Sequence, residues 1–75
     1  MLITYDSEAD VLLIELRHVP AKDSTDIEEG VTALLDAKGH IVALEILDAS
    51  ERLGKEQLHN VTLKDLAWEQ VKAEA

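Results

Sequence analysis

The stretch that most constrains this chain is His40 to Asp48, His-Ile-Val-Ala-Leu-Glu-Ile-Leu-Asp, preceded by Gly39. A run this short and this apolar reads as a strand buried at its middle. At the two-residue period of a strand, Val42, Leu44 and Ile46 fall on one face, and Ile41, Ala43, Glu45 and Leu47 on the other. Both faces are largely apolar, so the rest of the chain must supply neighbouring strands on both edges and a cover for each face.

The neighbours are legible. Met1 to Tyr5 is a short β-rich run, closed by Asp6-Ser7-Glu8-Ala9-Asp10, whose short polar side chains can accept bonds from nearby backbone amides and hold a hairpin loop. Val11 to Arg17 is the second strand, with Leu12, Ile14 and Leu16 on one face and Val11, Leu13 and Glu15 on the other. It repeats the layout of His40 to Asp48, one Glu set among aliphatics. Pro20 has no amide hydrogen and suits the start of an edge strand. Ala21 to Ile27 is polar and acidic, as an irregular edge strand that discourages unwanted pairing should be. Glu28-Glu29-Gly30 turns the chain into a fourth strand, Val31 to Leu35. Asp36-Ala37-Lys38-Gly39 is a turn, with Asp to bond backbone amides and Gly to take the left-handed conformation. A four-residue loop there would pair Leu35 with His40, Ala33 with Val42 and Val31 with Leu44.

After Leu47 the pattern changes. Asp48 to Gly54 reads as a capped helical turn stopped by Gly54, and residues 51–60 as a connector. From Val61 to Ala75 the spacing is helical: Thr62 is an N-cap with Asp65 three residues on, Val61 can pack on Leu66, and Leu63, Leu66, Ala67, Gln70 and Val71 make one stripe, apolar except at Gln70. Trp68 lies to one side of that stripe, a position suited to a lid over the core rim or to an interface anchor. The expected fold is therefore α+β: one domain over residues 1–75, an antiparallel sheet of four to five strands as a β-meander, with a C-terminal helix packed on one face.

Composition narrows the function. Sixteen Asp and Glu against seven Lys and Arg give a net charge of −9. Nucleic acid and anionic membrane surfaces are repelled by such a chain; a basic protein partner is steered toward it, and the same charge keeps a small protein soluble. Aromatic residues are 3% and Cys is absent, so the core is aliphatic, and disulfides, thiolate zinc sites and thiol catalysis are excluded. No apolar run approaches a membrane span and the N-terminus lacks the pattern of a signal peptide, which makes a cytoplasmic protein the expectation.

Ile3-Thr4-Tyr5-Asp6-Ser7-Glu8-Ala9-Asp10 through Leu16, Gly30-Val31, Asp36-Ala37-Lys38-Gly39 and Ile41 through Ser50 together resemble a small bacterial family, domain of unknown function 2283. The resemblance covers about the first 50 residues; its more specific parts are the Tyr-Asp-x-x-x-Asp hairpin and the Glu-Ile-Leu-Asp-Ala-Ser exit. The family commonly carries Tyr where Leu13 stands, Asp where Leu34 stands and Gly where Ala43 stands, so one face is more apolar here than the family pattern. The resemblance implies a compact β-meander without established activity and, since members look like partners of small toxin-like proteins, an antitoxin-like role.

Catalytic and metal templates fit poorly. Asp6, Glu8 and Asp10 alternate like calcium-loop ligands, but Val11 stands where that loop needs Gly and Arg17 where it needs a bidentate Glu. His18, His40 and His59 lie on separate segments without the spacing of a metal pair. Glu15 and Glu45 share a face and could split acid and base roles if their strands are neighbours, yet no cleft, nucleophile or oxyanion hole is evident. The expectation is a non-catalytic protein without cofactor or metal. A single helix stripe covers only one face of a sheet. Leu13, Glu15, Leu34, Ile41, Ala43, Glu45 and Leu47, with Trp68, are then the expected interface, serving a homodimer or a basic, toxin-like partner.

Overall fold

The alternating pattern resolves into five strands in the computed structural model, which describes residues 1–64. They are β1 (Leu2–Asp6), β2 (Val11–Glu15), β3 (Asp23–Glu28), β4 (Val31–Leu35) and β5 (Ile41–Leu47), in one antiparallel sheet of order β1-β2-β5-β4-β3. A hairpin, β1–β2, and a three-stranded meander, β3–β4–β5, are joined where β2 pairs with β5. The stretch with two apolar faces is thus the central strand, and acidic β3 is an edge strand with a bulge between Asp26 and Glu28. Charge and irregularity together are what keep a sheet edge from recruiting further strands.

Cross-strand pairs sort the side chains. Leu12 faces Ile46, Ile14 faces Leu44, and on the other side of β5 Ala33 faces Leu44 and Val31 faces Ile46. On the opposite face Leu13 pairs with Glu45, Glu15 and Leu34 both flank Ala43, and Thr32 pairs with Glu45. Leu12, Ala33, Val42, Ala43 and Ala49 form the core, and no large side chain among the described residues is completely shielded. Small residues at three of these five positions let the layers approach closely but leave little apolar area to hide. Leu16, Ile27, Leu47 and Leu53 accordingly stay well exposed.

The hairpin between β4 and β5 departs from the sequence expectation. Asp36 N–H donates to the His40 carbonyl at 2.8 Å, so the loop is Ala37-Lys38-Gly39, three residues with Gly39 at φ 84°. Farther along, Val31 pairs with Ile46 and Ala33 with Leu44, two residues beyond the expected register, and Val42 is bulged between Leu34 and Leu35. An even shift keeps Val31, Ala33, Leu44 and Ile46 together on one face, and only Ile41 and Val42, beside the turn, fall out of step. The bulged carbonyl is not wasted: it accepts from the amides of both Leu16 and Arg17, at 2.9 and 3.2 Å.

The helical turn expected after Leu47 is α1 (Ala49–Leu53), ended by Gly54 at φ 86°. A 3-10 turn at Gln57–His59 follows within the connector, while Val61 to Lys64 carry no regular structure. The helix expected over residues 61–75 does not begin at Thr62 within the described residues, and the rest of it, with Trp68, lies outside them.

Candidate functional site

The face of the sheet bearing Leu13 holds an open concavity of about 470 Å³. Leu13, Glu15, Leu34 and Ala43 line it, and the connection from β2 to β3, His18 to Ala21, forms its wall. Pro20 lies in that wall, where a missing amide hydrogen leaves no ladder bond unmade. Glu45 and Leu47 continue the same face along β5, Leu47 with 42% of its surface exposed. Six of the eight residues expected at an interface therefore share one surface. Ile41 does not follow them: the bulge at Val42 breaks the alternation, and Ile41 pairs with Leu35 on a row of the opposite face. Trp68 lies outside the described residues. Glu15 and Glu45 sit on neighbouring strands, but Glu15 opposes Ala43 and Glu45 opposes Leu13, so the carboxylates are diagonal rather than opposite. Diagonal neighbours lie about 7–8 Å apart at the backbone.

Topology does something to the charges that the linear sequence conceals. Both hairpin turns flanking the sheet and the end of β5 fall at one end of the molecule. Asp6, Glu8 and Asp10 from the first turn, Glu28 and Glu29 from the second, and Asp48 and Glu51 around the start of α1 are gathered there. At the other end Arg17, Lys22, Lys38 and His40 surround a second concavity of about 360 Å³. Three of the chain's seven Lys and Arg thus meet far from most of its turn carboxylates.

Two aspartates organise the two ends. Asp10 takes a left-handed backbone, φ 57°, and its carboxylate accepts from the Tyr5 hydroxyl at 2.7 Å, the Ser50 hydroxyl at 2.7 Å and the Ser50 amide at 2.9 Å. Its carbonyl accepts from Ala49 N–H at 3.0 Å. Asp48 makes no side-chain cap, so the free amides at the start of α1 are capped by a residue from the first hairpin. These bonds, first from Tyr5 and then from Ser50, hold the Asp10 carboxyl below its ordinary pKa, and the same contact pushes the Tyr5 phenol up. Across the same end, Arg52 bonds the Glu28 carboxylate at 3.0 Å and the Glu29 carbonyl, tying α1 to the second turn.

At the basic end Asp36 is buried and accepts backbone bonds from His40 and Lys38, both at 2.9 Å, and a 3.1 Å ion pair from Arg17. The His40 amide is the main cause of its lowered pKa, with the Lys38 amide and Arg17 adding to it. The turn residue identified in the sequence is therefore also the group that aims Arg17. Asp6 does the expected local work, accepting from Glu8 and Ala9 N–H at 3.0 and 3.2 Å.

Among the described residues no group of three or more His, Asp or Glu is placed to hold a metal ion, and no helix is long and apolar enough to cross a membrane. His18 and His40 lie toward the basic end and His59 beside Asp10 at the other. The convergence of the acidic turns and the capping of α1 by Asp10 escaped sequence reasoning, because the residues involved lie far apart along the chain, Asp10 and Ser50 by 40 positions. The only trace was the Tyr-Asp-x-x-x-Asp pattern, whose Tyr and last Asp prove to be bonded to each other.

Neither the curated proteins nor the solved structures contain a match to this chain. A family model described as protein of unknown function (DUF2283) matches residues 2–50, which span the whole sheet and the start of α1. With the hairpin, the turn and the exit from β5 all inside that match, the chain belongs to the DUF2283 family.

Proposed function

We propose that the protein is a non-catalytic protein-binding module that meets a basic partner, in an antitoxin-like role, through the Leu13 face and the acidic end next to it. The supporting observation is the continuity of that surface. Leu13, Leu34 and Ala43 supply the apolar part of the concavity, which Glu15, Arg17 and His18 also line; Glu45 and Leu47 lead from it along β5, away from Arg17, and the path ends at Asp48 and Glu51. A partner with an apolar segment flanked by Lys or Arg is complementary to such a path: charge steers the encounter and apolar contact holds it. A carboxylate-rich end on a chain of net charge −9 disfavours acidic partners over the same surface.

A second reading, in which the protein works as a self-assembling regulatory or structural homodimer, is favoured by the exposure of Leu2, Ile3 and Leu47. The two are separated by affinity capture from the native cells with three baits: the wild-type chain, Leu13→Lys, and a triple variant Glu8→Gln, Glu29→Gln, Glu51→Gln. The binding-module reading expects a basic protein on the wild-type bait that is released by raised salt and lost from both variants. Retention indifferent to salt and to all four substitutions would refute it.

A further inference from the structure

The two edges of the sheet are unequal, and we infer that β1 is a self-pairing edge: two copies of the chain join antiparallel through β1 to make one continuous ten-stranded sheet. Among the described residues β1 pairs only with β2, so its outer row of backbone N–H and C=O groups has no partner strand. The other edge, β3, carries Asp23, Asp26 and Glu28 and a bulge, two recognised devices against strand addition. β1 carries neither. Its sequence Leu-Ile-Thr-Tyr-Asp has strong strand formers, no Lys or Pro, one charge at its last position, and every residue exposed.

The occupant follows from the charge pattern. Antiparallel pairing of β1 with its own copy about Thr4 sets Thr4 against Thr4, Ile3 against Tyr5 and Leu2 against Asp6. The two Asp6 carboxylates then stand about 14 Å apart along the strands, beyond the screening length of about 8 Å at physiological salt. The same operation on β3 sets the two Asp26 residues against each other when centred on Asp26, or diagonally across Ser24 when centred on Thr25, and in both cases it must accommodate the bulge. Pairing β1 with the β3 of another copy leaves free edges at both ends and cannot close. Of the two closed pairs, the one through β1 keeps its charges farther apart and has no bulge to accommodate. Tyr5 is already held by Asp10, so one residue of the added strand pair is fixed before association. Five paired residues on each copy make a small interface, of the weak and concentration-dependent class.

This inference sharpens the homodimer reading but does not need the Leu13 face, and the test keeps them apart. The chain has no Cys, so single cysteines report contacts cleanly. Thr4→Cys, Ser24→Cys on β3 and Leu13→Cys on the face are each oxidised mildly and run on non-reducing gels. Residues facing across a twofold strand pair fall within disulfide reach. The expected result is a cross-linked dimer from Thr4→Cys at least several-fold faster than from the other two. Thr4→Lys should weaken the wild-type dimer about fivefold by opposing like charges, and mixing it with Thr4→Glu should restore pairing. Sedimentation should show the wild-type dimer strengthening with salt, since each copy carries −9, the reverse of binding to a basic partner. Thr4→Cys cross-linking no faster than Ser24→Cys, faster cross-linking through Leu13→Cys, or a wild-type chain that stays monomeric at raised salt and concentration would each overturn the inference.

Discussion

Gly30 and Gly39 both have positive φ, 83° and 84°, and both close hairpins of the meander, yet alanine should be far less tolerable at the first. At Gly39 an added Cβ meets nothing within 4 Å, so the cost is that of the left-handed backbone alone, about 1–2 kcal/mol. At Gly30 the added carbon overlaps the Arg52 guanidinium, which must leave the turn. Arg52 then loses its ion pair with Glu28 and its bond to the Glu29 carbonyl. The pair is partly exposed, with 30% and 64% of the two side chains open to water, and such contacts together are worth about 1 kcal/mol. Gly30→Ala should therefore cost about 2–3 kcal/mol, roughly 1 more than Gly39→Ala, and lower the melting temperature by about 4–8 °C beyond it. Urea titrations of the two variants, alone and in an Arg52→Ala background, measure this as a coupling energy. If the excess at Gly30 is absent, or persists after Arg52 has been removed, the contact that straps α1 across the end of the sheet is not what sets the preference for glycine there.

Acid should weaken the fold through Asp10 and Asp36. Both carboxyls lie below 3.8 when folded, so the stability they contribute is complete above the unfolded value and is lost as pH falls through the folded one. Urea midpoints between neutral pH and pH about 2 should fall less steeply for Asp10→Asn and Asp36→Asn than for wild type; parallel curves would count against the assignment. At the alkaline limit Tyr5 acts oppositely: its pKa is raised above 10.0, so the stability from its bond to Asp10 is present below that value and disappears as pH rises through the folded pKa. Tyr5→Phe should remove this alkaline loss, which absorbance and circular dichroism titrations would reveal together. Leu12→Ala, at a site 8% exposed in the core, should cost about 3 kcal/mol, whereas Leu13→Ala on the half-buried opposite face should cost about 1; equal losses by thermal melting would mean that the two faces are not packed as described.

The strands were legible because their physics is local. The two-residue period of Val11 to Arg17 and of His40 to Asp48, and the turn-forming Asp and Gly between runs, need no knowledge of the rest of the chain. The register of β4 on β5 was not, since it depends on how Asp36 closes its loop: pairing with His40 leaves a three-residue turn, and the mismatch with the pairs beyond is absorbed at Val42. That one extra residue moved Ile41 out of the predicted surface while leaving Leu13, Leu34 and Ala43 in it. Charge placement was less legible still. Asp6, Glu29 and Glu51 are strangers in sequence, and only the antiparallel order brings their turns to one end.

The place of β5 also dictates when this molecule can become whole during synthesis. The N-terminal hairpin leaves the ribosome early, but Ile14 must wait for Leu44, and Val11 for Leu47, before its inner edge is occupied. Closing so long a span of chain is slow compared with zipping the turn at Gly39 beside it, so β5, the last of the described strands to be made, is the one that joins the strands made before it. Until it arrives, the emerging hairpin is open along both of its margins, and a nascent chain in that condition is most exposed to misassembly with its neighbours.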